Sequence, residues 1–103
     1  MYGDDKITAY TFGPIEFRTR GLGLFYATEK LQERIKALST SDLQAANKAA
    51  WKQRRAAERQ MDRYNNVTVH GCYPYDLHGH DYFVAKEICS LTWKALQGQR
   101  EAA

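Results

Sequence analysis

The sequence predicts a small α+β domain. The expected architecture is a three-stranded, mainly antiparallel sheet (a β-hairpin plus one later strand) with three helices, in the order β-β-α-α-β-α. Three observations predict it. Two β-rich runs near the N-terminus flank a Gly-Pro pair, three later stretches repeat apolar residues at helical spacing, and Val67-Thr68-Val69 stands before the last of them. A chain of 103 residues has room for one such domain, 1–103, and for no second core.

Residues 7–12 (ITAYTF) and 15–19 (IEFRT) read as the hairpin. With Gly13-Pro14 as the loop, Phe12 faces Ile15 and Tyr10 faces Phe17. All four then share one side, because strand side chains alternate. Gly21 and Gly23 break the run, as a strand-to-helix joint does; two glycines without a third make no dinucleotide fingerprint. Residues 24–38 then read as a first helix, with Leu24, Leu31, Ile35 and Leu38 in phase. Ser41 and Gln44 have the form of a capping box for a second helix that runs to about Tyr64, where Asn65-Asn66 ends it.

Val67-Thr68-Val69 is the expected third strand, and residues 70–81 are expected to form a loop with two Gly and a Pro. Asp81 is placed to cap a last helix over about 82–97, stopped by Gly98. That helix carries two adjoining apolar stripes. One is Val84, Ile88, Leu91 and Ala95; the other is Tyr82, Ala85, Cys89, Trp93 and Leu96. A helix apolar over so wide an arc belongs at the centre of a domain. Residues 1–5 and 98–103 are expected to fray.

The apolar fraction of 44% and charged fraction of 26% are globular values and exclude a disordered or collagenous chain. No stretch approaches the run of about 20 apolar residues that spans a bilayer, and the polar, acidic start at Met1 to Lys6 is unlike a signal peptide. Two cysteines, Cys72 and Cys89, do not make a disulfide framework, so a reducing, cytoplasmic setting is expected.

The charge is localised. Residues Asp42 to Tyr64 hold six of the 15 Lys and Arg but three of the 12 Asp and Glu, so the remainder balances and the whole net charge of +3 falls there. On a helical wheel Lys48, Lys52, Arg55, Arg59 and Arg63 occupy one arc, opposite Leu43, Ala46, Ala50, Ala57, Met61 and Tyr64. Three like-charge i,i+4 pairs lie within that arc, and each costs a few tenths of a kcal/mol in an isolated helix. A face that is merely wet would intersperse acids, as Arg54 and Glu58 do beside it. Trp51 sits at the edge of the ridge with Arg54 and Arg55, a combination that interface hot spots favour.

These features predict a non-enzymatic binding protein: an inhibitor, adaptor or accessory subunit. It docks Lys48, Trp51, Lys52, Arg54, Arg55, Arg59 and Arg63 on an acidic surface of a protein partner. The alternative partner is nucleic acid, held through phosphates by the same ridge, although no helix-turn-helix, RNP-like strand or zinc finger is present. Size and texture are those of an accessory protein of a bacteriophage or other mobile element, with no diagnostic motif behind the likeness.

A third reading uses the 70–81 segment as a metal or catalytic loop. It holds His70, Cys72, His78 and His80, with Asp76 and Asp81. The residue types suit zinc, but their spacing matches no standard zinc motif. Cys72 with a histidine, or His80 with Asp76, has the makings of a thiolate pair or a general base. No paired carboxylates, phosphate-cradling loop or nucleophile elbow accompanies them. No metal, cofactor, catalytic residue or membrane contact is therefore expected, and the sequence leaves the oligomeric state open.

Overall fold

The protein is described from a computed structural model, which describes residues 7–21, 24–63 and 74–102. The observed order is β-β-α-α-α: strands β1 (Ile7–Phe12) and β2 (Ile15–Arg20), then helices α1 (Glu29–Lys36), α2 (Thr40–Arg63) and α3 (Pro74–Ala102). This corrects the expected β-β-α-α-β-α order and three-stranded sheet, since the described sheet has two strands. The segment 67–69 lies outside the described residues. Among the described residues, the outer edges of the hairpin are met by side chains from helices. Gln53 of α2 donates to the Thr11 carbonyl at 2.7 Å, and Arg34 of α1 donates to the Glu16 carbonyl at 3.4 Å. Side-chain donors on both edges satisfy carbonyls that a third strand would otherwise take.

The hairpin has the register expected from its alternation, with Tyr10 opposite Phe17 and Phe12 opposite Ile15. Its loop is the two residues Gly13-Pro14. Gly13 has φ +60°, a value glycine adopts without strain, and proline presets the negative φ that follows. A Cβ on Gly13 would lie 3.2 Å from backbone atoms of Ala45 and Ala46, so the turn also rests directly on α2. The inner face is aromatic: Tyr10, Phe12 and Phe17 have centroids about 6 Å apart, and Phe25 stacks on Phe17 at 5.7 Å.

The helix ends differ from the sequence expectation in instructive ways. Residues 24–28 are not helical, and α1 starts where the Thr28 hydroxyl accepts from the Leu31 N–H at 3.2 Å. Ser39, not Ser41, caps α2: its hydroxyl accepts from the Asp42 N–H at 3.2 Å. Helix α3 begins at Pro74, well before the expected residue 82, so residues 74–81 are helical and Asp81 is no cap. Proline suits the first helical position because its missing N–H has no intrahelical partner there. Nor does α3 stop at Gly98. Gln99 anchors the last turns by donating to the Leu38 carbonyl at 3.1 Å and bonding to the Thr40 hydroxyl.

The core lies where α3 meets the other elements. Phe12, Ile35, Leu43, Val84 and Ile88 are fully buried together, with Ala46 and Ala50 beside them. Helices α2 and α3 run antiparallel, since Thr40 meets Gln99, Asn47 meets Thr92, and Arg54 meets Tyr82. Asn47 donates to the Thr92 hydroxyl at 3.0 Å and to the Cys89 carbonyl at 3.3 Å, and Thr92 in turn donates to the Ile88 carbonyl at 2.7 Å. Buried polar atoms are thus paired across the helix seam.

Two stability outcomes follow. Ile88→Ala should cost about 2–5 kcal/mol in urea unfolding, and the half-buried Leu91→Ala distinctly less. Gly13→Ala should cost about 1–3 kcal/mol from its positive φ alone. A neutral Gly13→Ala would remove the turn's close approach to α2 from the account.

Candidate functional site

The basic ridge of α2 forms as a surface. Lys48, Lys52, Arg55 and Arg59 are exposed and make no ion pair among the described residues. Arg63 closes α2, and its side chain lies outside the described residues. The opposite arc turns inward, with Leu43, Ala46, Ala50 and Ala57 buried.

Trp51 is 47% exposed at the edge of this ridge. Arg54 departs from the other cations. It turns toward α3, its guanidinium carbon 5.0 Å from the Trp51 ring centre and 5.7 Å from that of Tyr82, while its Nε donates to Glu58 at 3.2 Å. Lys86 approaches the other part of the cluster, its Nζ 5.9 Å from the Tyr82 ring. Each such cation–π contact is worth about 0.5–1 kcal/mol at an exposed position. Arg54 is thus held between Trp51, Tyr82 and Glu58.

Between the two helices lies a groove of about 420 Å³, lined by Trp51, Arg54, Lys86, Cys89, Ser90 and Trp93. Trp93 is 54% exposed on its far wall, so both tryptophans of the chain line one groove. Burial pushes the Cys89 thiol up, only partly opposed by Arg54, so the floor presents a neutral thiol and not a reactive thiolate.

By hydrophobicity Trp93 belongs to the second apolar stripe of α3, with Ala85 and Cys89. Its neighbours Cys89 and Ala85 are buried, but Trp93 stands outside. The signal was available. Lys86 and Arg100 lie seven residues before and after Trp93 and so share its side of the helix. Tyr82 and Lys86 are the other site residues that the charge count on α2 alone did not find.

The residues of the 70–81 segment divide. His70 and Cys72 lie outside the described residues, as do the side chains of Asp76 and His78. His80 is buried at the hairpin, where its Nε2 shares a hydrogen bond of 2.8 Å with the Thr19 hydroxyl. The Tyr10 hydroxyl donates to Asp81 at 2.5 Å. Both contacts clamp the start of α3 to the sheet.

Comparison of the chain with protein-family models, with curated proteins and with solved structures finds no significant match.

The Tyr10 clamp has a pH consequence. Burial first, and then the hydrogen bond and charge of Asp81, push the Tyr10 hydroxyl well above its ordinary value. Below the unfolded-state value of about 10 the hydroxyl is protonated in both states and costs nothing. Above it the unfolded chain ionises while the folded one holds its proton, so stability falls as pH rises. Thermal melts above pH 10 should show a steeper loss for the wild type than for Tyr10→Phe. Parallel curves would contradict the clamp.

Proposed function

We propose that the chain is a non-enzymatic binding protein, an inhibitor, adaptor or accessory subunit, that docks the outward side of α2 and the adjoining groove on an acidic surface of a protein partner. One observation carries this reading: Trp51 and Trp93, each about half exposed, flank a single groove whose rim holds Arg54 and Lys86. Large aromatics beside arginine, at a concave site with a cationic border, are what protein interfaces use as anchors.

Magnitudes separate the roles. An exposed ion pair contributes about 0–1 kcal/mol and is screened by salt. Burial of a hot-spot tryptophan is worth about 2 kcal/mol or more. Trp51 and Trp93 therefore supply most of the affinity, while Lys48, Lys52, Arg55 and Arg59 steer the encounter and set its orientation. The neutral thiol of Cys89 on the groove floor suits an apolar contact better than nucleophilic chemistry. A reducing, cytoplasmic setting accords with that free thiol.

The test is capture from a nuclease-treated bacterial lysate by the immobilised chain. A recovered protein partner should be weakened by about 2 kcal/mol or more with Trp51→Ala, and weakened further at low salt with Arg55→Glu and Arg59→Glu. Recovery of nucleic acid alone, with affinity falling steeply with salt in proportion to the cations removed, assigns the ridge to phosphates instead. Full partner recovery by the folded triple variant would make the ridge a solvated face.

A further inference from the structure

The groove beside Trp51 is not an isolated pocket. A second cavity of about 550 Å³ continues along the same helix seam, with Gln44 and Asn47 on one side and Leu96, Gln97 and Arg100 on the other. Trp93 lines both cavities and stands between them. Two cavities thus lie end to end along the outer margin of the seam with Trp93 as their shared wall, an arrangement suited to a segment of chain.

Its chemistry is apolar within and cationic at both ends. Cys89 floors the first cavity and Leu96 lines the second. Arg54 and Lys86 border one end, and Arg100 lines the other. Glu58 and the Cys89 thiol engage only part of the five donors of Arg54. Among the described residues, no acid lines the two cavities, and Glu58, the acid that approaches Arg54, is bound to it.

Spacing sets the register of an occupant. Leu96 is seven residues beyond Cys89 on α3, or about 10 Å at 1.5 Å per residue. A bound helix offers side chains on one face at the same interval, i and i+7. Helix α1 of a second copy is a poor match, because its acids, Glu29 and Glu33, alternate with Lys30, Arg34 and Lys36.

We propose that the α2–α3 seam is a receptor groove for an acidic amphipathic helix of a partner protein. The helix seats two apolar side chains, seven residues apart, on either side of Trp93, and its carboxylates meet Arg54, Lys86 and Arg100. The proposal rests on the protein-binding reading above and names the chemistry of the partner. Such helix-in-groove recognition draws affinity from the apolar anchors and polarity of binding from the flanking charges.

The experiment is selection from a random 16-residue peptide display library against the immobilised full chain, followed by titration of tryptophan-free winners. Trp51 and Trp93 are the only tryptophans in the chain, so intrinsic emission reports on the groove directly. The expected winners are rich in Asp and Glu with apolar residues at i and i+7. They should shift the emission to shorter wavelength and lose at least tenfold in affinity with Trp93→Ala. Lys86→Glu, an exposed position that leaves the core untouched, should weaken them by a similar factor. An empty selection, winners without acidic residues, or affinities within twofold of wild type in both variants would overturn the proposal. Acidic winners that leave the emission unmoved, and that depend on Arg55 and Arg59 instead, overturn the groove while leaving the protein-binding reading in place.

Discussion

Ala46 and Ala50 are completely buried where α2 meets the core, and their small side chains let that helix approach its neighbours closely. The rest of the molecule follows from this approach. Alanine methyls contribute little burial energy on their own, so larger groups across the core, Ile88, Val84, Leu43 and Ile35, supply most of it. Asn47 fixes the axial position of α2 against α3 through Thr92 and the Cys89 carbonyl. A close seam has no space for an indole within it. Trp51 and Trp93 are left at its outer margin, where they wall the groove.

The hairpin is held by the same assembly. Two strands alone are marginally stable in water. Here Gly13 sits on the backbone of α2, Gln53 takes an edge carbonyl of β1, and the Thr19–His80 and Tyr10–Asp81 contacts fasten the sheet to α3. Glu87 reaches back from α3 to accept from the Ala27 N–H at 2.9 Å, which secures the segment leading into α1. The sheet acts as a cover over one side of the helical layer and leaves the side bearing the tryptophans open.

Local patterns were legible where one residue type dominates one face. The alternation of Tyr10, Phe12, Ile15 and Phe17 sets the hairpin register, and the alanine arc of α2 separates its buried side from its basic ridge. Legibility fails where tertiary contact overrides local preference. Pro74 and Gly79 read as loop residues, yet both lie in α3, whose first turns are held by His80 and Asp81 against a sheet distant in sequence. Leu24 continues the apolar phase of α1, yet residues 24–28 are not helical: Leu24 is 64% exposed, and Phe25, outside that phase, stacks on Phe17. Trp93 belongs to an apolar stripe by hydrophobicity, yet it shares its helix side with Lys86 and Arg100 and stands outside. A short β-branched run such as 67–69 does not by itself specify a strand in the sheet, and the hairpin edges it would join are met by Gln53 and Arg34.

The central claim is that both tryptophans stand in one solvent-open groove bordered by cations. Quenching of intrinsic emission by iodide and by caesium, titrated separately at equal ionic strength, tests it most directly. Long-wavelength emission is expected, with an iodide-to-caesium quenching ratio several times that of free N-acetyltryptophanamide in the same salts, because Arg54, Lys86 and the ridge beside Trp51 concentrate anions there. Short-wavelength emission resistant to both ions, or a quenching ratio equal to that of the free amide, would contradict it.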